Sequence, residues 1–172
     1  MWPYCLTLML TFLTSLSVFP AVVVLVSPSA DHQTAGTFWT GKFFLPVCCF
    51  LIFNLCDFLG RYLGRFGLLP RHRSSSLITI AVLRMAFIPV FMLTNVHPRR
   101  HLPVLFASEY YYILYMVLFG LSNGYLVINV FVNGPLSVPP AYRKLSGFFL
   151  MLFLGLGLTL GSLSSTVLVR IL

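Results

Sequence analysis

The spacing of the apolar blocks constrains this chain more than any other feature. Five of them, at about 2–26, 43–63, 77–96, 110–132 and 145–169, are each close to 20 residues or longer. A helix needs about 20 apolar residues, at ~1.5 Å of rise each, to cross the hydrocarbon core of a bilayer. Transmembrane β-strands would be about 10 residues long and would alternate strictly. Runs such as Phe148-Phe149-Leu150-Met151-Leu152-Phe153-Leu154 do not alternate. The expected fold is therefore all-α: a polytopic membrane protein whose residues 1–172 form a single bundle of five transmembrane helices. Most of the prolines, histidines and basic residues fall in the short connections.

Composition excludes the other classes. Apolar residues make up 59% of the chain and charged residues 8%, where a soluble domain carries about 25% charged. A soluble globule of this composition would leave large apolar patches facing water, and a disordered chain is excluded by the same numbers. The net charge of +8 does not point to nucleic acid, because the basic residues are spread thinly between apolar blocks and read as membrane flanks. Cys5, Cys48, Cys49 and Cys56 lie inside apolar stretches without metal-ligand spacing. No Walker loop, HExxH pattern or nucleophile with a nearby histidine is present, so neither catalysis nor a cofactor is expected.

Ser27-Pro28-Ser29-Ala30 looks like a leader-peptide cleavage site, but no basic residue precedes the core, and the core is too long. The first block is therefore read as a retained helix. The chain begins almost directly in that helix, which leads us to expect sequence upstream. With five spans, the side of the first residue carries Arg65, Arg71, Arg73, Arg143 and Lys144, and the other side carries Lys42, Arg99, Arg100 and Arg170. The small excess places the amino terminus in the cytoplasm.

Ionisable residues at membrane depth are costly, at about 2.5–3.5 kcal/mol each on insertion scales. The second block contains Asp57 and Arg61, and the third contains Arg84. At about 100° per residue, Phe50, Asn54, Asp57 and Arg61 fall within an arc of roughly 60° on one helix face. Phe43 and Val47 extend the stripe, and Cys48, Ile52, Leu55, Leu59 and Leu63 lie opposite it. An aromatic ring, an amide, a carboxylate and a guanidinium in one row suit a neutral polyhydroxylated ligand with a planar ring. The competing reading is a structural ion pair near the helix end, with Arg61 reaching the headgroups. For Arg84 the alternatives are a functional role and a simple reach to the interface.

Pro20, Pro46 and Pro89 fall inside spans, where each removes a backbone hydrogen bond and favours a kink. Gly120 and Gly124, and again Gly157 and Gly161, have the GxxxG spacing that lets helices approach closely. Asn123 and Asn129 beside them read as packing residues or as cavity-facing groups.

Several segments together resemble the equilibrative nucleoside transporter family. Phe53-Asn54-Leu55-Cys56-Asp57-Phe58-Leu59-Gly60-Arg61 resembles the signature of that family's eighth helix, and Val18-Phe19-Pro20-Ala21-Val22 its seventh. Arg84-Met85-Ala86-Phe87-Ile88-Pro89 with Pro98-Arg99-Arg100, then Ser122-Asn123-Gly124-Tyr125-Leu126, then Gly155 to Gly161, resemble the ninth, tenth and eleventh. The resemblance covers essentially the whole chain, in order. It implies the last five of eleven helices, with six absent, in an architecture like the major facilitators. It also implies facilitated diffusion of nucleosides, and in some members nucleobases, without ATP or sodium. By resemblance Asp57 and Arg61 contact the ribose, Asn54 and Phe50 line the same cavity, and Phe19, Pro20 and Leu158 match cavity-lining positions. The implied partners are nucleosides, the lipid bilayer and the absent six-helix half. Phe38 to Phe44 and Thr159 to Ser162 look more like the endosomal and lysosomal branch than the surface branch, so the expected location is the plasma membrane or an endosomal or lysosomal membrane. The alternative is a truncated, non-transporting membrane protein that pairs with a full-length partner.

Overall fold

A computed structural model of the chain describes residues 1–26, 44–66, 74–94 and 109–172. The connections that hold Lys42, Arg71, Arg73, Arg99 and Arg100, and Phe43, lie outside them. The described elements are helices α1 (Trp2–Val18), α2 (Ile52–Arg65), α3 (Ser74–Arg84), α4 (Phe87–Met92), α5 (Glu109–Leu136) and α6 (Arg143–Ile171). Short turns of other helical types extend α1 (Val23–Leu25), precede α2 (Leu45–Leu51) and precede α6 (Pro140–Tyr142). They combine into five segments long and apolar enough to cross a membrane: Trp2–Leu25, Leu45–Arg65, Ser75–Met92, Tyr110–Leu136 and Pro140–Ile171.

In lipid every backbone and hydroxyl group must be satisfied internally, and α1 shows how. Its Thr7, Thr11, Thr14 and Ser17 hydroxyls each donate to the carbonyl four residues back, at 2.7–2.8 Å. The hydroxyl row is thereby made compatible with burial. The helix ends before Pro20, where Phe19 turns to extended backbone, because the α conformation is disfavoured for a residue that precedes proline.

Prolines interrupt the next two spans in different ways. Pro46 sits in the first turn of a π-helical segment, Leu45–Leu51. Its i→i+5 bonding changes the angular step, so the α-helical register that relates Asn54, Asp57 and Arg61 does not carry unchanged through Phe50 to Val47. The third span breaks at Met85 and Ala86. Pro89 has no N–H to donate to the Met85 carbonyl, and the N–H of Ile88 takes that carbonyl instead at 3.1 Å.

Glycine sets the helix contacts. A Cβ on Gly60 would strike the backbone of Leu121, and one on Gly64 would meet Ile128 and Asn129. A Cβ on Gly120 would meet Phe53 and Cys56, and one on Gly124 would strike the backbones of Asp57 and Arg61. The rising order on both sides shows that α2 and α5 run parallel with their backbones in contact. Gly157 and Gly161 likewise seat α6 against Met9 and Leu13 of α1. Two apolar cores result. One gathers Val18, Val22, Phe44, Phe91, Tyr112 and Phe119, and the other gathers Tyr4, Leu8, Ala81, Leu126, Val130 and Leu150. Leu55, Leu59 and Leu63, with Phe58, are exposed on α2, as are Phe148, Met151 and Leu163 on α6. These are the faces that suit lipid.

Candidate functional site

Asp57 and Arg61 are one turn apart on α2, and this spacing alone brings them together. Arg61 Nε and Nη2 both donate to Oδ2 of Asp57, each at 2.8 Å. The aspartate side chain is 15% exposed and the arginine 48%. Asp57 stands at the margin of the glycine contact with α5, so its second oxygen, Oδ1, faces the neighbouring helix. There the side-chain amide of Asn123 donates to it at 2.7 Å.

From Asn123 the polar chain continues inward. Its Oδ1 accepts from the Ser15 hydroxyl of α1 at 2.7 Å. Ser15 Oγ in turn accepts from Nη2 of Arg84 at 2.9 Å. Arg84 Nη1 donates to the Phe119 carbonyl at 2.9 Å and to Ser122 Oγ at 2.7 Å, both on α5. Its guanidinium also lies 4.3 Å from the centre of the Phe119 ring, a cation–π contact that strengthens when water is excluded. Arg84 is 2% exposed. It therefore does not reach the membrane interface, which corrects one of the two readings left open by the sequence.

Aromatic rings run alongside this chain. Phe50 is 41% exposed and meets Phe19 edge-on at 5.3 Å. Phe19 stacks on Phe53 at 4.4 Å, and Phe53 meets Phe119 at 5.6 Å. A ring row and a polar chain thus both lead from the half-open Phe50–Arg61 face to the closed site of Arg84.

The other expected site residues are placed as follows. Asn54 is exposed and donates to the Phe50 carbonyl at 2.8 Å, which turns it back on its own helix. Pro20 is exposed beside Phe19. Leu158 is half-buried on α6, a helix that packs mainly on α1, so it is not part of the α2–α5 contact. Ser15 and Ser122 were not singled out by the sequence, since small hydroxyls in apolar helices are common. Arg84 carried a signal, as an ionisable group within a span, but its partners did not.

No group of three or more histidine, cysteine or acidic side chains able to hold a metal ion occurs among the described residues. The fold and this buried polar chain define a class: a polytopic helical membrane protein with fixed, partly accessible charges inside its bundle. The family description "Nucleoside transporter" matches residues 1–170, and the chain belongs to that family. It is 42% identical over 161 residues to human equilibrative nucleoside transporter 2, covering 94% of this chain and 34% of that protein. Against rat equilibrative nucleoside transporter 3 it is 40% identical over 160 residues, covering 92% and 33%. Against human equilibrative nucleoside transporter 1 it is 38% identical over 154 residues, covering 90% and 33%. The chain thus spans about a third of the length of these curated relatives.

Proposed function

We propose that this chain is the C-terminal five-helix bundle of a facilitative nucleoside transporter, resident in the plasma membrane or in an endosomal or lysosomal membrane. In this reading it works by alternating access, without ATP, around a site it shares with a six-helix half. The Asp57–Arg61 pair binds the ribose, with Asn54, Phe50, Phe19, Pro20 and Leu158 along the nucleoside path. One observation carries the reading: the carboxylate is held from two sides, by Arg61 and by Asn123, while the guanidinium stays about half exposed. An ionised carboxylate only accepts hydrogen bonds and a guanidinium only donates them. A fixed pair therefore offers complementary partners to a sugar diol, whose hydroxyls do both. The exposed Phe50 ring, braced by Phe19, supplies a face for a planar base.

The test is uptake of radiolabelled uridine and adenosine by cells expressing a full-length transporter that carries this sequence. Saturable, energy-independent uptake that collapses in Asp57→Asn is the expected result. Uptake indifferent to Asp57 and Arg61 would reduce the pair to a structural clip between turns of α2.

A further inference from the structure

We propose that Arg84 is a positioning residue for Asp57, acting through Ser15 and Asn123. The proposal rests on the reading of Asp57 and Arg61 as the sugar-binding pair. The hydrogen bonds between Arg84 and Asp57 run in one direction. A guanidinium has five N–H donors and no acceptor, so Ser15 Oγ receives a hydrogen bond from Arg84 Nη2. The single Ser15 proton is then directed elsewhere. Two acceptors are in reach, Asn123 Oδ1 and the Thr11 carbonyl, each at 2.7 Å. Toward Asn123 the serine acts as donor, so the amide turns its oxygen to Ser15 and its nitrogen to Asp57 Oδ1.

The opposite polarity would have a flipped amide donate to Ser15 and aim its oxygen at the carboxylate. The carboxylate of Asp57 excludes it, because an ionised carboxylate only accepts, and Arg84, by donating to Ser15 Oγ, holds that hydroxyl beside the amide oxygen. Every bond in the chain Arg84–Ser15–Asn123–Asp57 therefore points toward the carboxylate, and Arg61 points toward it from the other side. Polar chains of uniform direction polarise one another in a low-dielectric interior. The chain also crosses helices: Arg84 is on α3, Ser15 on α1, Asn123 on α5 and Asp57 on α2. The position of the carboxylate thus depends on the relative placement of four helices, and Arg84 is the end that is fully enclosed.

The experiment measures uptake of uridine and of 2′,3′-dideoxyuridine, with cell-surface abundance, in a full-length transporter carrying Ser15→Ala, Ser15→Thr, Arg84→Lys or Asp57→Asn. Ser15→Ala is a small change on a buried helix that removes both the bond to Asn123 and the one Arg84 Nη2 makes to Ser15, which is why surface abundance is measured beside uptake. Arg84→Lys keeps the charge but loses the planar fork that bridges Ser15 and α5. Both should raise the KM for uridine by about tenfold, the net worth of one hydrogen bond. Maximal rate and surface abundance should stay within about twofold, and the KM for the dideoxy substrate should not move. Ser15→Thr, which retains the hydroxyl, should behave as the parent. An unchanged uridine KM in Ser15→Ala beside a damaged Asp57→Asn overturns the relay and leaves the site standing. Equal losses for both substrates in Ser15→Ala mark the chain as a structural knot and also overturn it. Normal uptake in Asp57→Asn overturns the site reading and the relay together.

Discussion

Asn123 presents its amide nitrogen 2.7 Å from Oδ1 of Asp57. It can do so because its neighbour Gly124 has no side chain to keep α5 away from the backbone of α2 at Asp57 and Arg61. One residue makes the polar contact and the next makes room for it.

That arrangement predicts how glycine substitutions sort. In Gly124→Ala the new Cβ meets backbone rather than a movable side-chain tip, 2.8 Å from the Arg61 nitrogen, so the helices must separate. A loss of about 1–3 kcal/mol is expected, the usual cost of overpacking a close contact. Gly147 and Gly155 on α6 have nothing within 4 Å of the corresponding position. There alanine should be neutral or stabilising by up to about 1 kcal/mol, through helix propensity. Thermal unfolding of the detergent-solubilised chain, followed by fluorescence size exclusion, separates the two groups; equal behaviour would contradict the packing described.

The Asp57–Arg61 pair should matter far more for transport than for stability. Asp57 keeps its bond from Asn123 and lysine keeps the positive charge one turn away, so neither charge is left without a partner in Arg61→Lys. Arg61→Lys and the Asp57→Asn/Arg61→Lys double variant should therefore unfold within a few degrees of the parent. Ribonucleoside uptake in the full-length context should fall at least about tenfold, because lysine cannot reproduce the planar fork. The two single losses should also not add, as is usual for residues that act as a unit. Normal uptake in Arg61→Lys, or equal losses for ribose and deoxyribose substrates, would favour a purely structural pair.

The 172 residues by themselves are expected to transport nothing. Alternating access requires two bundles that rock about a shared site, and this chain spans about a third of its curated relatives. Proteoliposomes containing only this chain should show no saturable uridine flux above protein-free vesicles. Saturable flux would mean that copies of the bundle assemble a complete path.

Among the described residues five helices are long and apolar enough to cross a membrane, and five crossings would put the two chain ends on opposite sides of the bilayer. Epitope tags at residues 1 and 172, probed before and after membrane permeabilisation, should differ in accessibility. Labelling of both from one side would contradict the count of crossings.

What the sequence alone determined is what short-range geometry determines. Length and hydropathy along single segments were enough for an all-α chain with five membrane-capable helices, since a bilayer demands a minimum run of apolar residues. The Asp57–Arg61 contact was also legible, because residues at i and i+4 meet on any α-helix. The π-helical segment Leu45–Leu51 contains both Val47 and Phe50, so α-helical periodicity along this span holds only from Ile52 onward. The tertiary structure decided the rest. Asn123 is 66 residues from Asp57 in sequence, and Ser15 is 108 from Asn123 and 69 from Arg84. Nothing in the periodicity of any one helix says which faces meet. That choice is made where Gly60, Gly64, Gly120 and Gly124 let two backbones touch. Once they touch, a buried guanidinium has few acceptors within reach, and the need to satisfy it in a dry interior draws Ser15, Ser122 and the Phe119 carbonyl to Arg84.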